Sequence, residues 1–258
     1  MFDFDPLRSF GHLLRFAVIA VAVQAQWGES EADFPVAGGF HFVRLEYRDL
    51  PALSRGRGWW RQDWPEADAH FAQGVRRLTR IDNGVPVHVP LTDDRLFDYP
   101  WIYATQVGYW DLSDPEVNQL REYLNRGGFL VTDDFYGDRE WELFRHTMAR
   151  VFPDRPIVDI PDHDPVLHVV YDITERTFIP GLRHLRRGPD GLIGVSPQAT
   201  APQWRAIYDA HGRMVVAVNF NQDVGDAWEH ADMPEYPEKM TALAYRFGIN
   251  YILYAMTH

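Results

Sequence analysis

Apolar and polar side chains trade places along FHFVRLEY, Phe40 to Tyr47, at the two-residue period of a strand with a buried face. VPVHVPL, Val85 to Leu91, predicts a second, short strand. YPWIYATQV, Tyr99 to Val107, is apolar nearly throughout, which predicts a strand covered on both faces. FLVTDD, LHVVYDI (Leu167 to Ile173) and RMVVAVNF (Arg213 to Phe220) predict three more. Between these runs the period lengthens to that of a helix. EADAHFAQGVRRLTRI puts Phe71, Val75 and Leu78 on one face, and SDPEVNQLREYLNRGG does the same with Val117, Leu120 and Leu124. The second of these has clear ends: Ser113 or Asp114 as cap, Pro115 in the first turn, Gly127 as terminator. REWELFRHTMARVF predicts a further helix, and EKMTALAYRFGINYILYAM a closing amphipathic one that tolerates Gly248. The Arg-, Gly- and Pro-rich stretch between Ile173 and Arg213 reads as a long insertion. Alternation at these lengths predicts an α/β fold, a mostly parallel sheet with helices on both faces in three layers.

Composition narrows the functions open to such a fold. A chain of 258 residues, 46% hydrophobic, can bury one sizeable core. The formal charge of -12 excludes the basic surface that nucleic acid or anionic lipid requires. Cysteine is absent, so there is no disulfide, thiolate ligand or cysteine nucleophile. Arg8 and Arg15 precede or flank an apolar run, Phe16 to Val23, and Val23 and Ala25 supply the small residues of a cleavage site. Residues 1–25 are therefore expected to be a signal peptide and 26–39 a linker, with one α/β domain over 40–258. The expected address is the periplasm, with membrane contact only through the amino-terminal segment if it stays uncleaved. A buried amino-terminal helix is the alternative reading of that run.

Candidate chemistry gathers where apolar runs end. Ligands bind a doubly wound sheet beyond the carboxyl ends of its strands. Asp133 and Asp134 close FLVTDD and are followed by Phe135 and Tyr136. Alternation along the strand sends one carboxylate into the crevice and the other toward a helix or backbone amides. Capping of the next helix is the competing role. NFNQDVGDAWEH also follows an apolar strand and offers Asn219, Asn221, Asp223, Asp226, Trp228 and Glu229 as ligand-binding candidates. Its Asn-x-Asn-x-Asp opening resembles a calcium loop, but Gly225 comes one place late and Glu229 one place early. An acidic solvated turn is the bland alternative. His163 in PDHDP joins Asp133, Asp134 and Asp223 as a candidate ligand for a divalent cation, although its spacing matches no zinc pattern. Asp98 and Tyr99 precede a central strand, where Tyr99 could roof a crevice. Trp59, Trp60 and Trp64 suit stacking on a ligand or pinning of a loop. No Gly-x-Ser-x-Gly elbow, Walker loop or His-Glu-x-x-His helix is present.

FDYPWIYATQVGYWDLS, LREYLNRGGFLVTDDFYG, NFNQDVGDAWE and YRFGINYILYAMTH, with FHFVRLEY and DWPEAD, give the chain a resemblance to domain-of-unknown-function family 4159. That resemblance implies a flavodoxin-like sheet similar to the class I glutamine amidotransferases, in bacterial exported or membrane-attached proteins. Glutaminase chemistry is excluded because the required cysteine is missing. Two functions remain. One is a non-catalytic binding or assembly module of the cell envelope, with envelope proteins or a small ligand as partner. The other is a metal-dependent hydrolase built on Asp133 and Asp134.

Overall fold

The computed structural model describes residues 39–54, 58–188, 193–195 and 201–258. The expected signal peptide and all but the last residue of the linker lie outside them. No helix among the described residues is long and apolar enough to cross a membrane.

The strands are β1 (Val43–Glu46), β2 (Val87–Pro90), β3 (Trp101–Thr105), β4 (Phe129–Phe135), β5 (Val158–Asp159), β6 (Leu185–Arg187), β7 (Ile193–Val195), β8 (Gln203–Tyr208) and β9 (Met214–Phe220). The helices are α1 (Pro51–Ser54), α2 (Glu66–Leu78), α3 (Asp114–Asn125), α4 (Gly137–Val151), α5 (Val224–Glu229) and α6 (Glu238–Thr257). Seven strands form one mixed sheet in the order β2-β1-β3-β4-β9-β8-β5, and β6 pairs with β7 as a separate hairpin. The first five strands in that order are parallel, while β8 runs antiparallel to β9 and to β5. Strand order reverses direction between β1 and β3, which is where a doubly wound sheet opens a crevice.

Side-chain alternation sorts the core into two layers. Phe42, Trp101, Tyr103, Phe129 and Ala217 share a cluster with residues of α2, α5 and α6. Val43, Leu45, Ile102, Leu130 and Val216 share the other with residues of α3 and α4. The expected three-layer α/β fold is therefore the observed one. α3 begins as its sequence predicts, with Ser113 and Glu116 forming a capping box. Gly248 inside α6 has a packing reason: a Cβ there would lie 2.5 Å from the Phe71 ring of α2.

Three expectations need correction. LHVVYDI is no strand. Leu167 ends a single 3-10 turn that Pro165 starts and Asp164 caps, and Val170 is exposed. Its buried residues, Leu167 and Ile173, pack in the α6 layer without joining the sheet. The long insertion holds β6, β7 and the sheet strand β8, whose half-buried pattern around Arg205 weakens the apolar signal. NFNQDVGDAWEH is not all turn, since α5 forms as soon as Asp223 caps it.

Candidate functional site

The last residues of β4 and the loops leaving the carboxyl ends of β1, β3 and β9 meet above the crevice. Each contains a non-glycine residue with left-handed backbone: Asp63 (φ 61), Gln106 (φ 52), Asp134 (φ 49) and Asn221 (φ 57). Among the described residues no other non-glycine residue does so. Each such conformation costs roughly 1 kcal/mol or more and persists only where its surroundings enforce it. At Asp134 the enforcement is a bulge, where the register of β4 on β9 shifts between Thr132 and Phe135. The Asp134 amide donates to Gln222 O at 3.1 Å, and the Asn221 amide to Phe135 O at 3.0 Å.

The adjacent carboxylates consequently diverge. Asp133 turns toward α5, where its Oδ2 accepts from the Tyr103 hydroxyl at 2.8 Å and from the Gly225 amide at 3.0 Å. Burial raises its pKa to about 7, against those two donors. Asp134 turns into the crevice, accepting from Gln106 Nε2 and, at 3.0 Å, from Arg183 Nη2. Neither residue caps α4; Glu140 takes the free Tyr136 amide there at 2.7 Å. Asp223 accepts from the Asp226 amide at 2.9 Å, and Asp63 from Gln62 Nε2 at 2.5 Å. Carboxylate oxygens of Asp63, Asp134 and Asp223 all lie within 4.8 Å of one another. Ligands on opposite sides of a hard cation with bonds of about 2.4 Å stand about 4.8 Å apart, so the three oxygens are close enough to share one ion.

Electrostatics make this group unstable as three bare anions. Two unit charges about 4 Å apart repel by roughly 4 kcal/mol at an effective dielectric near 20. Burial first, then the neighbouring acids, push Asp134 and Asp223 well above the carboxylate range and Asp63 to about 6. Asp134 and Asp223 are 1% and 2% exposed. Arg44, buried in β1 beneath them, is committed elsewhere, to Asp68 and to Gln62 O at 3.0 Å. Among the described residues Arg183 is the cation that touches the group, through Asp134. Two glycines leave it room. A Cβ on Gly225 would stand 3.3 Å from Asp63 Oδ2, and one on Gly181 would stand 2.4 Å from Asp223 Oδ2.

A second group adjoins the first. Asp226, Glu229 and His230 converge, with His230 Nε2 at 3.8 Å from Asp226 and 3.6 Å from Glu229. Burial, aided by Asp63 and Asp226, raises Glu229 to about 7. The segment from Ile179 to Arg183 lies across both groups as a strap. Ile179 O accepts from the Asp223 amide at 2.9 Å, and the Leu182 amide donates to Asp226 Oδ2 at 2.6 Å.

Several predicted site residues are elsewhere. His163 is exposed beyond edge strand β5 and belongs to neither carboxylate group. With β9 and β8 intervening, β5 lies roughly 14 Å across the sheet from β4. Asp98 and Tyr99 precede β3, so a whole strand length separates them from its carboxyl end. Tyr99 instead packs edge-on against His41. Trp228 is fully buried core, 4.2 Å from the Phe71 ring centre. Asn219 and Asn221 are structural: Asn219 accepts from the Tyr251 hydroxyl, and Asn221 joins the Gly137 amide to Ala201 O. The tryptophans pin their loop, Trp59 on Tyr109 and both Trp60 and Trp64 on His88. Tyr136 borders the site, its ring stacked on His184. Asp63, Gln106 and Arg183 escaped the sequence reading. Asp63 is visible within DWPEAD, but the neighbouring Trp59, Trp60 and Trp64 suggest stacking rather than charge.

Next to Tyr136 a groove of about 240 Å³ opens, lined by Leu53, Tyr109, Gly137, Arg139 and Glu140 among others. A comparison with curated proteins finds no match. The profile of the family described as a domain of unknown function, DUF4159, matches residues 41–256, which spans β1 to α6, and the chain belongs to that family.

Proposed function

We propose that the chain binds a divalent cation through Asp63, Asp134 and Asp223 and acts as a metal-dependent hydrolase. One observation carries this: three carboxylates, from the end of β4 and the loops behind β1 and β9, converge within 4.8 Å at the crevice of the sheet. An all-oxygen donor set suits a hard ion such as magnesium, manganese or calcium. Such an ion polarises a substrate oxygen and acidifies water. The chain supplies the proton transfers. Glu229, poised about pH 7, accepts a proton as the water oxygen bonds to the electrophilic centre, and returns it to the leaving group as that bond breaks. Asp133 is a positioning residue, tying the first turn of α5 to Tyr103 and so fixing Asp223. Calorimetry of the full chain with magnesium, manganese, calcium and zinc tests the proposal. One ion per chain is expected, with affinity about tenfold or more weaker in Asp63→Asn, Asp134→Asn and Asp223→Asn, and unchanged in His163→Ala. No binding of any of these ions by the wild type would overturn it.

A non-catalytic binding or assembly module of the cell envelope is the second reading, favoured by the closure of the site beneath the strap. Under it the cation is structural, and the partner is an envelope protein or a small ligand. The periplasmic address, argued from Arg8 to Ala25, is common to both readings. Amino-terminal sequencing of the exported protein tests it, with cleavage after Ala25 expected.

A further inference from the structure

Arg183 is an incomplete partner for the buried acids. Its Nη2 reaches Asp134 Oδ1 at 3.0 Å, yet the Arg183 side chain is 54% exposed against 2% for Asp134. Nε meets His184 Nε2 at 3.0 Å, and the guanidinium rests 4.7 Å above the Tyr136 ring. The fork thus spans the distance from the acid group to the rim. Burial is the strongest single influence and works to lower the Arg183 pKa, but Asp134, Tyr136, Asp223 and Asp226 together outweigh it, so the side chain stays charged. A cation arriving at Asp134 competes with this guanidinium for the same carboxylate. Displaced from Asp134, the fork would still have the face of the Tyr136 ring, over which it already stands, to rest on. A guanidinium and a metal ion side by side form a donor set for an oxyanion. A phosphoryl group has enough oxygens to meet the fork and the ion at once. Tyr136 also lines the groove that contains Arg139. Of its two acids, Glu140 is already satisfied by the Tyr109 hydroxyl at 2.6 Å and the Tyr136 amide at 2.7 Å, and Asp138 is exposed to solvent at the first turn of α4.

Resting on the cation reading above, we infer that the substrate is a phosphate ester, its phosphoryl group held between Arg183 and the ion and its organic part in the groove beside Tyr136. Calorimetry of the full chain tests this with manganese and then inorganic phosphate as probes, in the wild type and in Arg183→Met. Two opposite shifts are expected. Phosphate affinity falls roughly tenfold or more in the variant, and manganese affinity rises severalfold because its competitor for Asp134 is gone. Acetate, tried in place of phosphate, is expected to bind far more weakly, and equal binding would make the ligand a carboxylate and overturn the assignment. Phosphate affinity unchanged in Arg183→Met, or manganese affinity unchanged or lowered, would also overturn it. If the wild type binds no manganese, the cation reading itself fails, whatever phosphate does. Circular dichroism confirms that the variant, altered at a half-exposed side chain, is folded.

Discussion

At their amino ends, β4 and β9 leave turns whose backbone polar groups are paired. The Gly128 amide donates to Tyr123 O at 3.0 Å, the Met214 amide to the Tyr254 hydroxyl at 3.0 Å, and Arg213 Nη2 to Gly127 O at 2.6 Å. The same strands end, at their carboxyl side, in left-handed residues and in carboxyl groups held above their ordinary range, Asp133 by burial and Asp134 and Asp223 by burial and mutual repulsion. Both ends carry the same ladder and the same two core layers. The difference lies in what each does with charge. Paired groups close one edge, whereas the other concentrates like charge that only protons, Arg183 or an added cation can offset.

The largest expected effect follows from that asymmetry. Asp63 and Asp133 titrate at about 6 and 7 in the folded chain, against an ordinary value of 3.8. Between those values the folded state holds protons that the unfolded state has released. Stability is therefore full below about pH 4 and falls as pH rises toward 7. Asp133 alone accounts for up to roughly 4 kcal/mol of that fall, at about 1.4 kcal/mol per pH unit. Denaturant unfolding of the full chain in chelator, followed across this range, measures it. Saturating manganese, which holds Asp63 ionised in the folded chain, is expected to remove the Asp63 share of the fall and leave the Asp133 share, which burial causes. A curve already flat in chelator would mean that the two edges do not differ in this way.

Tyr103→Phe probes one carboxylate within the edge. The variant removes the hydroxyl that Asp133 accepts and leaves the ring against Arg44, which now lies 4.8 Å from its centre. Above about pH 7 the ionised Asp133 loses a donor, at an expected cost of roughly 1.5–3 kcal/mol. Near pH 5 Asp133 is protonated in both proteins, and the expected cost is smaller. Unfolding at the two pH values gives the comparison directly. An equal loss at both would make Tyr103 a packing residue alone.

Much of this architecture is legible in the sequence. Period and capping locate β1 to β4, β9 and most helices because each buries a continuous apolar face, and Ser113 with Glu116 marks the start of α3. β8 is hidden because a strand near the edge needs only alternate burial. LHVVYDI misleads because apolar residues can fill a core without joining a ladder. The adjacent acids of β4 are conspicuous as a pair, but a bulge decides that Asp134 and not Asp133 faces the crevice, and a bulge leaves no periodic trace. Asp63 and Arg183 lie about 70 and 50 positions from Asp134, and only the folded chain brings them beside it.

Arg213→Met tests the other end and carries the smallest expected effect. The variant loses the charged hydrogen bond to Gly127 O, at 2.6 Å on a partly exposed side chain. Solvent screens that contact, and water can replace the donor, so the expected loss is about 1 kcal/mol. Its diagnostic value lies in what should stay constant. No carboxyl group with a raised pKa takes part in the contact, so the loss should be the same near pH 5 and pH 8, with chelator or with manganese. A loss that grew with pH, or that manganese reversed, would show that the amino edge shares the charge problem of the carboxyl edge. The contrast between the two ends of the sheet would then dissolve.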